Sequence, residues 1–378
     1  MAQNPPVFPT VPTRGGTRNN DVLLGDSNRG NTLVGNGGSD RIVGGRSNDV
    51  LLSGDASSFI LPTLIPTAPD SVTPPAPTTP AIQPLTGTPS NDTLNGTEQA
   101  EIITAGKGSD TIFGNGGNDF FIWNPGDGPD IVHGGAGLDT SVINGGAEGE
   151  ISMLRMNNGT AVFNRLTQTP FSVTHDGTEV VQVESNEGND ILIADKIAGS
   201  GASLLAFSGG GGNDVLFAGT VDTEVSTTGG AGDDILIGGQ KMNTIEGGSG
   251  NDFLVGNQGM DRFVLSSGKP FNTTDLGVDT ITNFNPTQDK IHLSKATFAS
   301  IATQPGQTLG VSDFARVDSD EAAALSAAKI TYVQPTGSSS GKLFYNANGA
   351  EAGLGNGAQF AVVAGAPALS DQNFALVA

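Results

Sequence analysis

Gly108-Ser-Asp110-Thr-Ile112-Phe-Gly-Asn-Gly-Gly-Asn-Asp119 carries the plan of the chain. An acid is followed two residues later by a large apolar residue, then by a turn of Gly and Asn, then by the next acid. The frame extends on both sides as Asp92/Leu94, Glu101/Ile103, Asp110/Ile112, Asp119/Phe121, Asp130/Val132 and Asp139/Ser141, with acid-to-acid steps of 9, 9, 9, 11 and 9. Toward the N-terminus it gives Asp21/Leu23, Asn31/Leu33, Asp40/Ile42 and Asp49/Leu51. Further along come Asp190/Leu192, Asp214/Leu216, Asp234/Leu236, Asn243/Ile245, Asp252/Leu254 and Asp261/Phe263, the last four spaced by nine. A single copy of this pattern is a flexible polar linker. Many copies in phase, with the apolar residue at a fixed offset, are an architecture.

Three-residue stretches such as Thr-Ile-Phe or Val-Leu-Leu suit very short strands with one side chain pointing inward. The Gly, Asn, Ser and Asp between them permit tight turns and close backbone approach. One unit cannot bury its apolar residue, but stacked units can. The expectation is therefore an all-β chain: a parallel β-roll or β-solenoid, two units per coil of about 18 residues, with a thin core. The low aromatic content of 18 Phe, 2 Tyr and 1 Trp fits such a core.

Stacking sets each acid beside the acid of the next coil, where two carboxylates repel unless a cation lies between them. Glycine-rich turns bring backbone carbonyls to the same place. An all-oxygen, flexible donor set selects a hard cation, calcium over magnesium. The units resemble the Gly-Gly-x-Gly-x-Asp-x-apolar-x repeat of RTX (repeats-in-toxin, hemolysin-type) calcium-binding proteins. The fullest matches are Gly134-Gly-Ala-Gly-Leu-Asp139, Gly229-Gly-Ala-Gly-Asp-Asp234 and Gly247-Gly-Ser-Gly-Asn-Asp252. The candidate metal ligands are Asp21, Asp40, Asp49, Asp92, Asp110, Asp119, Asp130, Asp139, Asp190, Asp214, Asp234, Asp252 and Asp261. Asn31 and Asn243 lose the charge, and the phase slips between Asp190 and Asp214 and around Thr223/Val225, so those coils are candidates for metal-free ones.

Composition narrows the function. With 17 Lys plus Arg against 39 Asp plus Glu, the formal charge is −22, which argues against nucleic acid as a partner. Zero cysteine removes disulfides, zinc knuckles and thiol catalysis. No apolar run is long enough for a transmembrane segment, and Met1-Ala-Gln-Asn-Pro-Pro does not read as a Sec-type leader.

The expected organisation is an N-terminal arm (1–14), a short repeat array (15–55), a Pro/Thr-rich linker (56–86) and a repeat roll (87–145). A β-strand-rich insertion (146–186) follows, either an added layer or part of the roll. Then come a second roll (187–265), roll-capping strands (266–295) and a C-terminal region (296–378). The linker holds eight of the 21 prolines. In the C-terminal region Asp318-Ser-Asp-Glu-Ala-Ala-Ala-Leu-Ser-Ala-Ala-Lys329 reads as the one short helix, with Asp318 or Ser319 as N-cap. Family resemblance places a type I secretion signal there.

HExxH does not occur, and the non-repeat regions are short for a hydrolase. His133, His175 and His292 read as exposed strand-edge residues, and Trp123 as packing over the end of an array. The expectation is a secreted, non-enzymatic protein that folds on binding several Ca2+ ions outside the cell. It would be a surface, sheath or extracellular-matrix component, able to self-associate or to bind matrix polysaccharide. An adhesin or carbohydrate binder is the alternative, and a cryptic extracellular hydrolase the lesser one.

Overall fold

The computed structural model describes residues 83–167, 169–349, 351 and 353–378, together with the backbone of six three-residue strands between 13 and 61. The chain divides into two compact units, Met1–Ala81 and Ile82–Ala378. In the first, Thr13–Gly15, Thr32–Val34 and Val50–Leu52 form one parallel sheet, and Val22–Leu24, Arg41–Val43 and Phe59–Leu61 a second. The repeat phase thus reaches into both flanks. Thr13–Gly15 begins within the expected arm, and Phe59–Leu61 pairs with Arg41–Val43 inside the expected linker. Asp21, Asp40 and Asp49 lie outside the described residues.

The second unit is a roll of two sheets, of 15 and 11 strands, to which successive strands are dealt alternately. Thr93–Asn95, Thr111–Gly116 and Asp130–Ala136 stack on one side, and Gln83–Thr86, Glu101–Thr104, Phe120–Trp123 and Thr140–Asn144 on the other. Register is parallel and in phase: Leu94 lies opposite Ile112, and Ile112 opposite Val132. These side chains form one buried ladder, and Leu192, Leu216, Leu236, Leu254 and Ile281 form another further along the sheet. Ile103, Phe121, Val181, Leu205 and Val225 line the other sheet. Each rung contributes roughly 1.5–3 kcal/mol of burial, so the roll is stable only as a stack.

Residues 146–186 belong to the roll. Ile151–Asn157, Thr160–Arg165 and Phe171–Asp176 form an antiparallel meander within the 15-stranded sheet, between Asp130–Ala136 and Ile191–Ala194. The opposite sheet answers with one strand, Val180–Glu184, paired to Thr140–Asn144 and Leu204–Gly211. One sheet therefore gains two strands over the other at this point. The extra width brings polar residues inside. His175 sits in register with Val132 and Ala161 and is buried, which corrects the exposed placement expected for it. Burial pushes its imidazole down to about 4, holding it neutral.

The closing role expected of 266–295 passes to the C-terminal region. Asp279–Thr282 and Lys290–Ser294 form one more coil on the two sheets. Gln359–Ala364 and Phe374–Val377 then lie on that coil, and Ile330–Val333 and Ser340–Tyr345 turn the sheet antiparallel. Aromatics gather here: Phe298 meets Tyr345 edge-on at 5.2 Å between centroids, and Phe271 and Phe360 pack against them. A wide aromatic cluster covers the open end that a single-residue ladder cannot. The helix is shorter than expected, Asp320–Leu325, with the Ser319 hydroxyl accepting from Ala322 N. A second single turn, Thr273–Leu276, is capped by Asn272.

Candidate metal centre

The ladder acids stand at the starts of strands, in the last turn position or as the first strand residue, and from Asp110 on, one carboxylate oxygen is already engaged. Asp110 Oδ1 accepts from Asp92 N at 2.7 Å, Asp119 Oδ1 from Glu101 N at 2.8 Å, and Asp130 Oδ1 from Asp110 N at 3.0 Å. Asp139, Asp190, Asp214, Asp234, Asp252 and Asp261 likewise accept from the residue one coil earlier: Asp119, Glu150, Asp190, Asp214, Asp234 and Asn243. The acids thus form two columns that bind coil to coil by charged hydrogen bonds.

The second oxygen separates the sites into two kinds. In Asp110, Asp119, Asp139, Asp190, Asp214, Asp234 and Asp252, Oδ2 is buried and reaches no hydrogen-bond donor. A buried, unpaired carboxylate oxygen is costly and demands a partner. In Asp92, Glu101, Glu150, Asn243 and Asp289, a side-chain oxygen instead accepts from the backbone N–H four residues earlier, from Thr88, Thr97, Gly146, Gly239 and Asn285 respectively. One dihedral accounts for the division. Gly106, Asn115, Gly135, Asn186, Gly210, Gly230 and Gly248, four residues before the seven orphaned acids, all have φ between 70° and 113°. The left-handed backbone turns their N–H out of reach. None of the five capping residues has positive φ. Residue type at that position does not decide, because Gly146, Gly239 and Asn285 cap; the backbone conformation there separates the two kinds.

Backbone carbonyls complete the donor set. A Cβ placed on Gly229 would come within 2.6 Å of Gly247 O and closer still to Asp234 Oδ2. The same construction on Gly209 meets Asp214 Oδ2 and Gly229 O, and on Gly114 meets Gly134 O and Asp119 Oδ2. Carboxylate and next-coil carbonyl therefore converge on one small space, which glycine keeps clear. Among the described residues no three His, Cys, Asp or Glu side chains gather at a point. The donors are carboxylates shared between coils plus carbonyls, the all-oxygen chemistry of calcium rather than zinc.

Electrostatics points the same way. Burial, with neighbouring carboxylates adding to it, pushes Asp119, Asp130 and Asp190 up to about 7 and Asp234 to about 8. Burial also raises Asp139, Asp214 and Asp252 to about 6 and Asp261 to about 7. The fold gathers negative charge that it does not itself neutralise.

Four ladder acids lie outside the repeat frame read from the sequence. Glu150 and Glu179 take ladder places around the meander, where Asp139 N donates to Glu179 Oε2. Asp279 and Asp289 continue the two columns by accepting from Asp252 N and Asp261 N. Intervening loops of extra residues hide their phase, although Ile281 and Ile291 keep the +2 apolar offset. At Glu150 the protein supplies its own cation: Arg165 Nη1 lies 2.8 Å from Glu150 Oε1, both side chains buried. The guanidinium also faces Phe171 at 4.7 Å and Trp123 at 5.6 Å, and those two rings stack at 3.6 Å. Trp123 thus packs between the meander and the array, its Nε1 donating to Gly128 O. Pro125, Asp127, Pro170 and Phe171 line a cleft of about 390 Å³ beside it.

These observations define a class: a parallel β-roll whose coils are joined by columns of acids with open, oxygen-lined turns. The family model for the RTX calcium-binding nonapeptide repeat matches residues 16–51, 26–60, 86–121, 207–221 and 228–263. The chain is an RTX-repeat protein, and its repeats are those of a calcium-binding β-roll. No curated protein matches it. Among solved structures it is similar to the extracellular lipase LipA from Serratia marcescens, at 17% identity and a TM-score of 0.24, over 75% of this chain and 39% of that one. The chain thus spans well under half the length of that enzyme.

Proposed function

We propose that this is a secreted structural protein that folds when its acid columns take up calcium outside the cell, and that copies then associate into a surface, sheath or matrix layer. The observation that carries the calcium step is the set of seven buried Oδ2 atoms without a donor, each beside an open turn. Asp110, Asp119, Asp139, Asp190, Asp214, Asp234 and Asp252 are the proposed principal ligands. Asp130 and Asp261 share their columns, whereas the Asp92 carboxylate is occupied by Thr88. Without calcium, repulsion along the columns opposes a thin core, and the chain is extended enough for an export channel. At extracellular calcium concentrations, sites with Kd of about 10⁻⁴–10⁻³ M fill and supply the folding free energy.

Association is supported by the outer face of the larger sheet. Five neighbouring strands present two columns of apolar side chains: Ile151, Ile191, Val215, Ile235 and Phe253, then Met153, Ile193, Phe217, Ile237 and Val255. Ile193, Phe217, Ile235 and Phe253 are each about 40% exposed. An uncharged flat patch of this kind fits a second copy of itself, sheet on sheet. At a charge of −22 two copies repel, so neutralisation by calcium couples folding to association. The non-repeat segments supply roll strands and the end cap, which supports a non-enzymatic role.

Two measurements test this. Circular dichroism should gain β signal on calcium titration; no gain up to about 10 mM rejects the calcium-gated fold. Sedimentation velocity should show association in calcium and monomer in EGTA. Phe217→Glu with Ile193→Glu should abolish association and leave the calcium titration unchanged. A wild-type monomer in saturating calcium rejects the assembly reading.

A further inference from the structure

Asn243 stands on a ladder position, yet its side chain behaves unlike that of any ladder acid. Its Oδ1 accepts from Gly239 N at 2.7 Å, and its Nδ2 faces five oxygens. These are Lys241 O at 2.8 Å, Gly256 O at 2.8 Å, Asp261 Oδ1 at 2.7 Å, Gln258 O at 3.3 Å and Gly239 O at 3.4 Å. An amide nitrogen has two hydrogens to give. Five oxygens around one atom exceed what it needs and approach the six-to-eight-oxygen shell of a calcium ion. The donors are two carbonyls from its own turn, two from the turn one coil on, and the next carboxylate of the column. The same positions around Asp234 are Gly230, Gly232, Gly247, Ser249 and Asp252, where Asp234 Oδ2 is an orphan and Gly247 O converges on it.

We propose that the amide nitrogen of Asn243 occupies the place a calcium ion takes in neighbouring coils, so that the turns joined through Asn243 and Asp261 close without metal. This inference rests on the calcium reading of the acid columns. The amide contributes a partial positive charge and two hydrogens at the centre of the oxygen cage. The residue directs the cage to itself, and within the folded roll this junction between coils closes without an ion of its own. The coil serves as a fixed rung within a stack of metal-dependent ones.

The test counts ions on the full chain by equilibrium dialysis against radioactive calcium at saturation. Asn243→Ala should bind the same number of ions as wild type. The turns around residues 239–243 and 256–261 should meanwhile exchange amide hydrogens at least tenfold faster in calcium. Asn243→Asp should bind one ion more, because a carboxylate and Asp261 then face each other across the cage. Loss of one ion in Asn243→Ala, or an unchanged count in Asn243→Asp, overturns the proposal. If the Asp variant does not fold, the Ala count alone decides. Binding of no calcium by wild type rejects the parent reading instead, whereas a normal wild-type count with an ion lost in Asn243→Ala rejects only the role of the amide.

Discussion

Gly229→Ala tests the architecture of a single open site with one methyl group. Gly229 lies in the strand Glu224–Ala231 and does not need positive φ, so alanine fits the backbone there. The added Cβ would lie within 2.6 Å of Gly247 O and of Asp234 Cγ, inside the space on which the donors converge. The backbone carbonyl is held by the ladder, so the Asp234 carboxylate is the group that must swing away. Its bond from Asp214 N at 2.7 Å is then lost together with the ion. At calcium a hundredfold above Kd, one lost ion removes about 2.7 kcal/mol from the folded coil. The hydrogen bond to a charged acceptor adds about 1.5–3 kcal/mol. Equilibrium dialysis should therefore report one ion fewer, and amide exchange across 229–234 should accelerate by at least a hundredfold in saturating calcium. Gly219→Ala is the control: its Cβ would meet nothing nearer than Asn257 Nδ2 at 3.5 Å, and its ion count should equal wild type. An unchanged count in Gly229→Ala would show that the space between Asp234 and Gly247 is not a cation site.

Two further outcomes follow from the same geometry. Arg165→Met leaves the buried Glu150 carboxylate without its cation, at a cost of about 3–5 kcal/mol; limited proteolysis in calcium should cut within 146–186, and Glu150→Gln added to Arg165→Met should restore resistance. In EGTA, apo stability should rise as pH falls from about 8 to about 5. The folded carboxylates at about 6 to 8 lie above the ordinary value of 3.8, so the fold binds more protons than the open chain over this window. That stabilisation is complete below the ordinary value and is lost as pH rises through 6 to 8. Calcium affinity should move the opposite way, because protons compete for the same oxygens; a pH-independent apo stability over this range would contradict the burial of the columns.

The periodic part of this protein was legible residue by residue. The acid-to-apolar offset placed Leu94, Ile112 and Val132, and again Leu216, Leu236 and Leu254, on inner ladders, because a three-residue strand has a single inward position. It also put Asp110, Asp119, Asp139, Asp190, Asp214, Asp234 and Asp252 at the turns. Only the tertiary structure separates open sites from capped ones. The difference lies in the backbone four residues before the acid, where Thr88 and Thr97 send an N–H inward and Gly230 and Gly248 do not. Only pairing across coils reveals that Glu150 and Glu179 stand in the acid columns, that Arg165 serves one of them, and that His175 is buried. Those contacts join residues with no common period, through a meander that widens one sheet and not the other. A repeat fixes its own environment because every coil meets a copy of itself. Where the copying stops, each side chain's surroundings come from distant chain, and local spacing carries no record of them.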